Sequence, residues 1–210
     1  MPNLSGGHGI ERAAVMRILR QEDYTVMPWK NGGGVTVDIA GASVPGVVPG
    51  AWDGVIWRFG QTRIERPGPF SDLSGFDRLL AVVEGQGLVL HPVGAPVLDV
   101  RERFHPVRFP GEWAIESELE DGPVAVVNLL GDRRRAAIDL RFAAGIAQLA
   151  FEPGTLVLYA AAGASTVELS GDSIKLAPAD AVQVESDEPI AVRLRSGVIA
   201  AAWIGPLPTR

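Results

Sequence analysis

No stretch of this 210-residue chain keeps a helical apolar period for longer than about two turns, and that absence removes most architectures from consideration. Instead, 25 glycines and 16 prolines cut the chain into short runs rich in Val, Ile, Leu and aromatic residues. Such runs read as strands at 15–20, 35–40, 55–64, 78–84, 87–91 and 124–130. A second series follows at 146–151, 155–159, 165–169, 181–185, 190–194 and 198–203. Residues 136–147 fit a helix by composition, while Asp139, Arg141 and Gly145 fit a strand and turn equally well. Many short strands between turn signals predict an all-β sandwich or barrel. Residues 41–54, with Pro45, Gly46, Pro49, Gly50 and Gly54, read as a surface excursion.

Composition narrows the function classes. With 47% hydrophobic and 21% charged residues the chain can bury a core. A formal charge of −6 implies no basic face, so nucleic acid is not an expected partner. The basic run Arg133-Arg134-Arg135 follows Asp132 and reads as a solvated connection. The absence of cysteine excludes a disulfide framework, a thiolate nucleophile and Cys-ligated zinc, and fits a reducing compartment. No apolar run reaches transmembrane length, and residues 1–12 lack the pattern of a signal peptide. The expectation is a cytoplasmic protein with no membrane partner, whose residues 1–14 form a disordered N-terminus.

Two stretches depart from plain strand-and-turn chemistry. Residues 27–34 read Met-Pro-Trp-Lys-Asn-Gly-Gly-Gly. Pro28 fixes a backbone angle; Trp29, Lys30 and Asn31 offer an aromatic face, a cation and an amide; Gly32, Gly33 and Gly34 leave backbone N–H groups uncovered. A flexible connection between strands would explain an isolated Gly-Gly-Gly; the whole set suggests a small polar ligand. Gly32-Gly33-Gly34 is not a dinucleotide fingerprint, because the strand before it and the helix after it are missing. The second stretch is 67–90, where a Pro/Gly-rich approach leads into strand 78–84, the turn Glu84-Gly85-Gln86-Gly87 and a return strand. Between the two, 55–64 alternates: Val55, Trp57 and Phe59 on one face; Ile56, Arg58, Gly60 and Thr62 on the other. Arg58 among such neighbours needs an anion or carbonyl, unless it is solvated or pairs with an acid such as Asp77 or Glu84.

The hairpin of the second stretch resembles the first half of a cupin barrel. In the usual first cupin motif two His separated by one residue precede a Glu, and a Gly follows six residues after it. Here Arg78 stands at the Glu position, and Ser71 and Leu73 stand near the His positions. A hydroxyl, an isobutyl group and a guanidinium do not make a first-row metal site, and Arg78 repels a cation. The same position favours an anion, which Arg78 can grip through a bidentate carboxylate contact. Residues 19–38, together with Trp57-Arg58, Gly68-Pro69-Phe70-Ser71 and Gly75-Phe76-Asp77-Arg78, are similar to the signature of the HutD family. The most specific part of the resemblance spans 16–87, within a likeness over roughly 15–205.

That resemblance implies a bicupin: cupin-like double-stranded β-helix barrels, two in a single chain. The halves would be 15–134, carrying the ligand site, and 135–210, structural in role. It also implies association with histidine utilisation and binding of urocanate, formylglutamate or formiminoglutamate, all carboxylates, so as to modulate the pathway. The departures are the Leu-Leu-Gly-Asp run after Asn128, where two adjacent Arg are common, and a second half that is cupin-like only in outline.

The candidate ligand-binding residues are Trp29, Lys30, Asn31, Arg58, Phe70, Ser71 and Arg78, with no metal ligand, cofactor or catalytic residue assigned. Lys30 and Arg78 are the anion-binding pair, unless Arg78 bridges to Asp77 or Glu84. Trp29 either stacks on a planar ligand or fills core, and Asn31 either bonds the ligand or holds the turn. Phe70 and Ser71 line the mouth, and Asp77 orients Arg78. His91 and His105, each before a proline, read as loop-edge residues despite their useful titration range. The alternative is a cofactor-independent isomerase, lyase or hydrolase acting on a small carboxylate, with Lys30, Asp77 or a His as acid and base. A homodimer is a possibility suggested by the fold alone.

Overall fold

The computed structural model describes residues 14–28, 34–46 and 52–208, with Met27 and Pro28 described by backbone alone. In chain order the strands are β1 (Val15–Leu19), β2 (Thr25–Pro28), β3 (Gly34–Ser43), β4 (Val55–Ile64), β5 (Gly68–Pro69), β6 (Phe76–Glu84), β7 (Leu88–Pro92), β8 (Leu98–Val100) and β9 (Val107–Pro110). There follow β10 (Ile115–Leu119), β11 (Val124–Asp132), β12 (Ala137–Ala144), β13 (Ala147–Phe151), β14 (Gly154–Leu169), β15 (Asp172–Leu176), β16 (Ala181–Ser186) and β17 (Ile190–Gly205). Helical structure among the described residues is limited to a 3-10 turn, Gln21–Asp23, and no described helix is long and apolar enough to cross a membrane. The fold is all-β and cupin-like.

The two-residue periodicity of β4 explains how the layers stack. Its Trp57 and Phe59 face one core; Arg58, Gly60, Thr62 and Ile64 face another. β4 lies inside a six-stranded central sheet, β2-β3-β4-β11-β6-β9. One face of that sheet closes over the smaller sheet β5-β10-β7-β8, with Leu80, Val82, Leu88, Leu90 and Val126 between them. The other face presents Phe59, Leu79, Val127 and Leu129 to Val157, Tyr159, Ala200 and Ala202 of the third sheet. Phe59 and Val127 are fully shielded, and each such burial contributes about 1.5–3 kcal/mol.

The third sheet runs β1-β16-β14-β17-β12, with β13 on β17 and β15 on β14. Its spine is a ribbon of two 16-residue strands, β14 and β17, paired antiparallel through three register shifts between Ala160 and Val167. At the shifts Gly197 takes φ 91°, and a Cβ there would stand 2.3 Å from Ser165 Oγ, so only glycine fits the bend. The bent ribbon folds over Leu156, Leu158, Val167, Leu169, Leu194 and Ile199.

Several sequence expectations change here. The expected strands 155–159 and 165–169 are one strand, as are 190–194 and 198–203, because glycine-bearing bends let the ribbon turn without losing its partner. The ambiguous 136–147 is a strand, Ala137–Ala144, paired along its length with β17. Part of the expected excursion at 41–54 is sheet, since β3 continues to Ser43. Strand β1, grouped with the first half by sequence order, is hydrogen-bonded to β16 of the second. The connection onward to β2 is tied to that half as well. Arg20 Nη1 donates to Asp180 Oδ2 at 2.5 Å, and Tyr24 Oη donates to the Ala179 carbonyl at 3.0 Å.

Candidate functional site

Directly opposed residues of an antiparallel ladder share a face, so the register lays out the inner wall of the first half as rows. The first row is Gly41, Arg58, Leu130, Arg78 and Phe109, read from β3 across β4, β11 and β6 to β9. The second is Asp38, Gly60, Asn128, Leu80 and Val107; the third is Thr36, Thr62, Val126 and Val82; the fourth is Gly34, Ile64 and Val124. The wall changes from polar to apolar from the first row to the fourth. Arg58 and Arg78 stand two strands apart, about 10 Å between Cα atoms at the usual strand spacing. Gly60 places no side chain between Asp38 and Asn128, and a Cβ there would meet the Val37 carbonyl at 2.7 Å.

Arg78 is only 6% exposed. Its guanidinium carbon lies 4.9 Å from the Phe70 ring centre and 5.1 Å from that of Phe109. The two ring centres are 6.3 Å apart, so the rings form a corner around the cation and leave its other side to the wall. Such contacts are worth about 0.5–2 kcal/mol each, short of the several kcal/mol that burying an unpaired charge costs. No described carboxylate offsets the remainder. Asp77 points away, its Oδ2 accepting from Arg108 Nη1 at 3.0 Å and its Oδ1 from Arg133 Nε at 2.6 Å. Glu84 sits 3.9 Å from Arg63. The readings in which Asp77 orients Arg78, or Asp77 or Glu84 pairs with it, are therefore corrected: strand alternation sends Asp77 to the opposite face, and Glu84 lies six residues along the strand. Outside the described ranges, Glu11 is the one residue with a carboxylate side chain. Burial pushes the guanidinium down to about 10, which still leaves a cation at neutral pH.

Among the described residues, two buried side-chain polar atoms have no hydrogen-bond partner: Arg78 Nε and Asn128 Oδ1. Buried polar groups are nearly always satisfied, so two orphans on diagonal positions of neighbouring strands mark this wall. Arg58 is the contrasting case. It is ion-paired with Asp38, its Nε donating to Oδ1 at 2.5 Å, and its guanidinium carbon stands 5.1 Å from the Trp52 ring centre. Its partner is thus Asp38, brought across from β3, rather than Asp77 or Glu84. Thr36 and Thr62 hydroxyls lie 3.2 Å apart in the third row. The described wall sums to one net positive charge, that of Arg78.

Of the sequence candidates, Arg58, Phe70 and Arg78 come together here, and Ser71 is exposed on the segment just after Phe70. Trp29, Lys30 and Asn31 lie outside the described residues. Description resumes at Gly34, three rows from Arg78, which is about 20 Å along the strands. His91 is exposed and bonded to Glu118 at 3.0 Å, and His105 is exposed; neither reaches the wall. Four wall or rim residues were not anticipated: Asp38, Trp52, Phe109 and Asn128. The signal for Asn128 was available, as the polar interruption in the inward series Val124, Val126, Asn128, Leu130. Phe109 had none, because 107–110 is too short and proline-bounded to announce a strand.

A model of the HutD family matches residues 21–201. An uncharacterised 21.2 kDa protein in the hutC 3′ region of Pseudomonas putida is 31% identical over 174 residues, covering 82% of this chain and 88% of that one. The crystal structure of a conserved protein of unknown function, PA5104 from Pseudomonas aeruginosa PAO1, superposes with a TM-score of 0.80 at 29% identity, over 90% of this chain and 98% of that one. HutD from Pseudomonas fluorescens SBW25 superposes with a TM-score of 0.77 at 26% identity, over 92% and 100%. Two more distant cupin-like structures, at 8% and 13% identity with TM-scores of 0.65 and 0.57, share the fold alone.

Proposed function

The chain belongs to the HutD family, and from that membership together with its unpaired Arg78 we propose that it binds a small carboxylate in its first half and thereby modulates histidine utilisation. On this reading the chain is a cytoplasmic bicupin whose second half is structural. Its ligand is urocanate, formylglutamate or formiminoglutamate.

One observation carries the reading: a buried guanidinium cornered by two phenyl rings, with no described carboxylate near it. A planar carboxylate supplies the missing charge and matches the guanidinium fork, and in a low-dielectric setting the contact strengthens. Arg58, held by Asp38 and covered by Trp52, forms the adjoining rim. Phe70 holds Arg78 in place, Ser71 donates from the mouth, and Trp29, Lys30 and Asn31, which lie outside the described residues, are further candidates for the ligand.

Thermal unfolding in the presence of urocanate, N-formylglutamate, formiminoglutamate and histidine tests this reading. A ligand held at about 100 times its Kd adds roughly 2.7 kcal/mol of stability, a shift of several degrees. At least one carboxylate should raise the midpoint of the wild type and leave that of Arg78→Met unchanged. Identical responses in both proteins would remove Arg78 from the site.

A further inference from the structure

The second orphan in the wall restricts the ligand further. Resting on the carboxylate-binding reading above, we infer that the ligand also brings a hydrogen-bond donor, an N–H or O–H a few atoms from its carboxylate, and that Asn128 Oδ1 is its acceptor. Asn128 lies opposite Leu80 and Gly60, one row from Arg78 and diagonal to it across the β11–β6 pair. Diagonal neighbours of this kind stand about 7–8 Å apart at their Cα atoms. One small molecule can therefore touch both side chains.

The sign of each group decides the class. Arg78 Nε is a donor and takes an anion; Asn128 Oδ1 is an acceptor and takes a donor. An oxyanion with acceptors on every side, such as sulfate, meets Arg78 favourably but sets its remaining oxygens against Asn128 Oδ1. A carboxylate with a neighbouring amide or imidazole N–H satisfies both. Charge agrees: the Arg58–Asp38 pair is neutral as a unit, so the wall has one positive charge to match one carboxylate.

An isosteric pair of probes separates this inference from the reading beneath it. N-acetylglycine carries a carboxylate and an amide N–H; acetoxyacetate has the same shape with an ester oxygen in place of the N–H. Titration calorimetry on the wild-type protein should show N-acetylglycine binding about 10-fold more tightly, the usual consequence of exchanging a hydrogen bond for a buried acceptor–acceptor contact. Sodium sulfate should fail to compete. In Asn128→Leu the preference should collapse towards equality while both probes still bind. Equal affinities in the wild type, with both lost in Arg78→Met, overturn the donor requirement and leave carboxylate binding standing. Binding of neither probe overturns both. The wild-type comparison needs no variant, so a poorly folding Asn128→Leu does not shelter the inference.

Discussion

The two β units enclose opposite kinds of interior. The second is filled by aliphatic residues of the bent ribbon, Leu156, Leu158, Val167, Leu194 and Ile199 among them. The first has an equivalent aliphatic floor in Leu80, Val82 and Leu88, but its upper rows hold Arg58, Asp38, Asn128 and an unpaired Arg78. The second closes almost entirely on apolar side chains, with its buried Ser165 hydrogen-bonded, so unpaired polar rows like those of the first are not a general demand of a β interior. They cost stability, and the ligand binding proposed above gives a reason to retain them.

The comparison breaks most readily at its apolar side. Leu158→Ala should destabilise the protein by about 2–5 kcal/mol in denaturant unfolding, as expected for a fully buried leucine, while the folded fraction keeps its ligand affinity. A change in affinity as well would show that the halves are coupled at the site. Arg78→Met should lower carboxylate affinity at least 100-fold, about 2.7 kcal/mol. The same substitution should leave the ligand-free protein as stable as the wild type or more so, by about 1–2 kcal/mol, because a buried charge without a partner is replaced by an apolar chain of similar length. A structural arginine would show the opposite sign.

Asp132 sharpens the contrast, because it is a buried charge that is satisfied. At the junction of β11 and β12 its Oδ1 accepts from the Arg134 backbone N–H at 2.9 Å. Burial pushes its carboxyl up, but the bonds from Arg134 and the charges of Arg134 and Arg135 outweigh that and hold it below the ordinary range. A depressed carboxylate contributes stability above its unfolded value of about 3.9 and loses it progressively as pH falls below that towards its lower folded-state value. Asp132→Asn should therefore cost about 1.5–3 kcal/mol at pH 7, with the difference from wild type shrinking below about pH 4 in urea titrations. Lys30→Met should weaken carboxylate binding less than Arg78→Met does, by a factor of about 3–5, because Gly34 enters the sheet three rows away. An effect as large as that of Arg78 would show the loop closing over the first row.

How much of this was readable in the sequence depended on what holds each element. β4 matched its expected span of 55–64 because its two faces meet two different cores, and the alternation records both. Strands β2, β5, β8 and β9 left little trace: they are short and sit at sheet edges. Arg78 was singled out as an anion-site candidate from the residue types around it, but its isolation from Asp77, which alternation along β6 produces, was missed. The Arg58–Asp38 pair was not readable, because it joins strands 20 residues apart through a bulged register. Asn128 was legible as a polar interruption in the inward series of β11, but that no donor reaches its Oδ1 is visible only in the packing.

Calorimetric titration of N-formylglutamate into wild type and Arg78→Met, run side by side at neutral pH, tests the central claim most directly. The account predicts saturable one-to-one binding to the wild type and no measurable heat with a folded Arg78→Met. Equal affinities, or saturable binding to the variant alone, would contradict it.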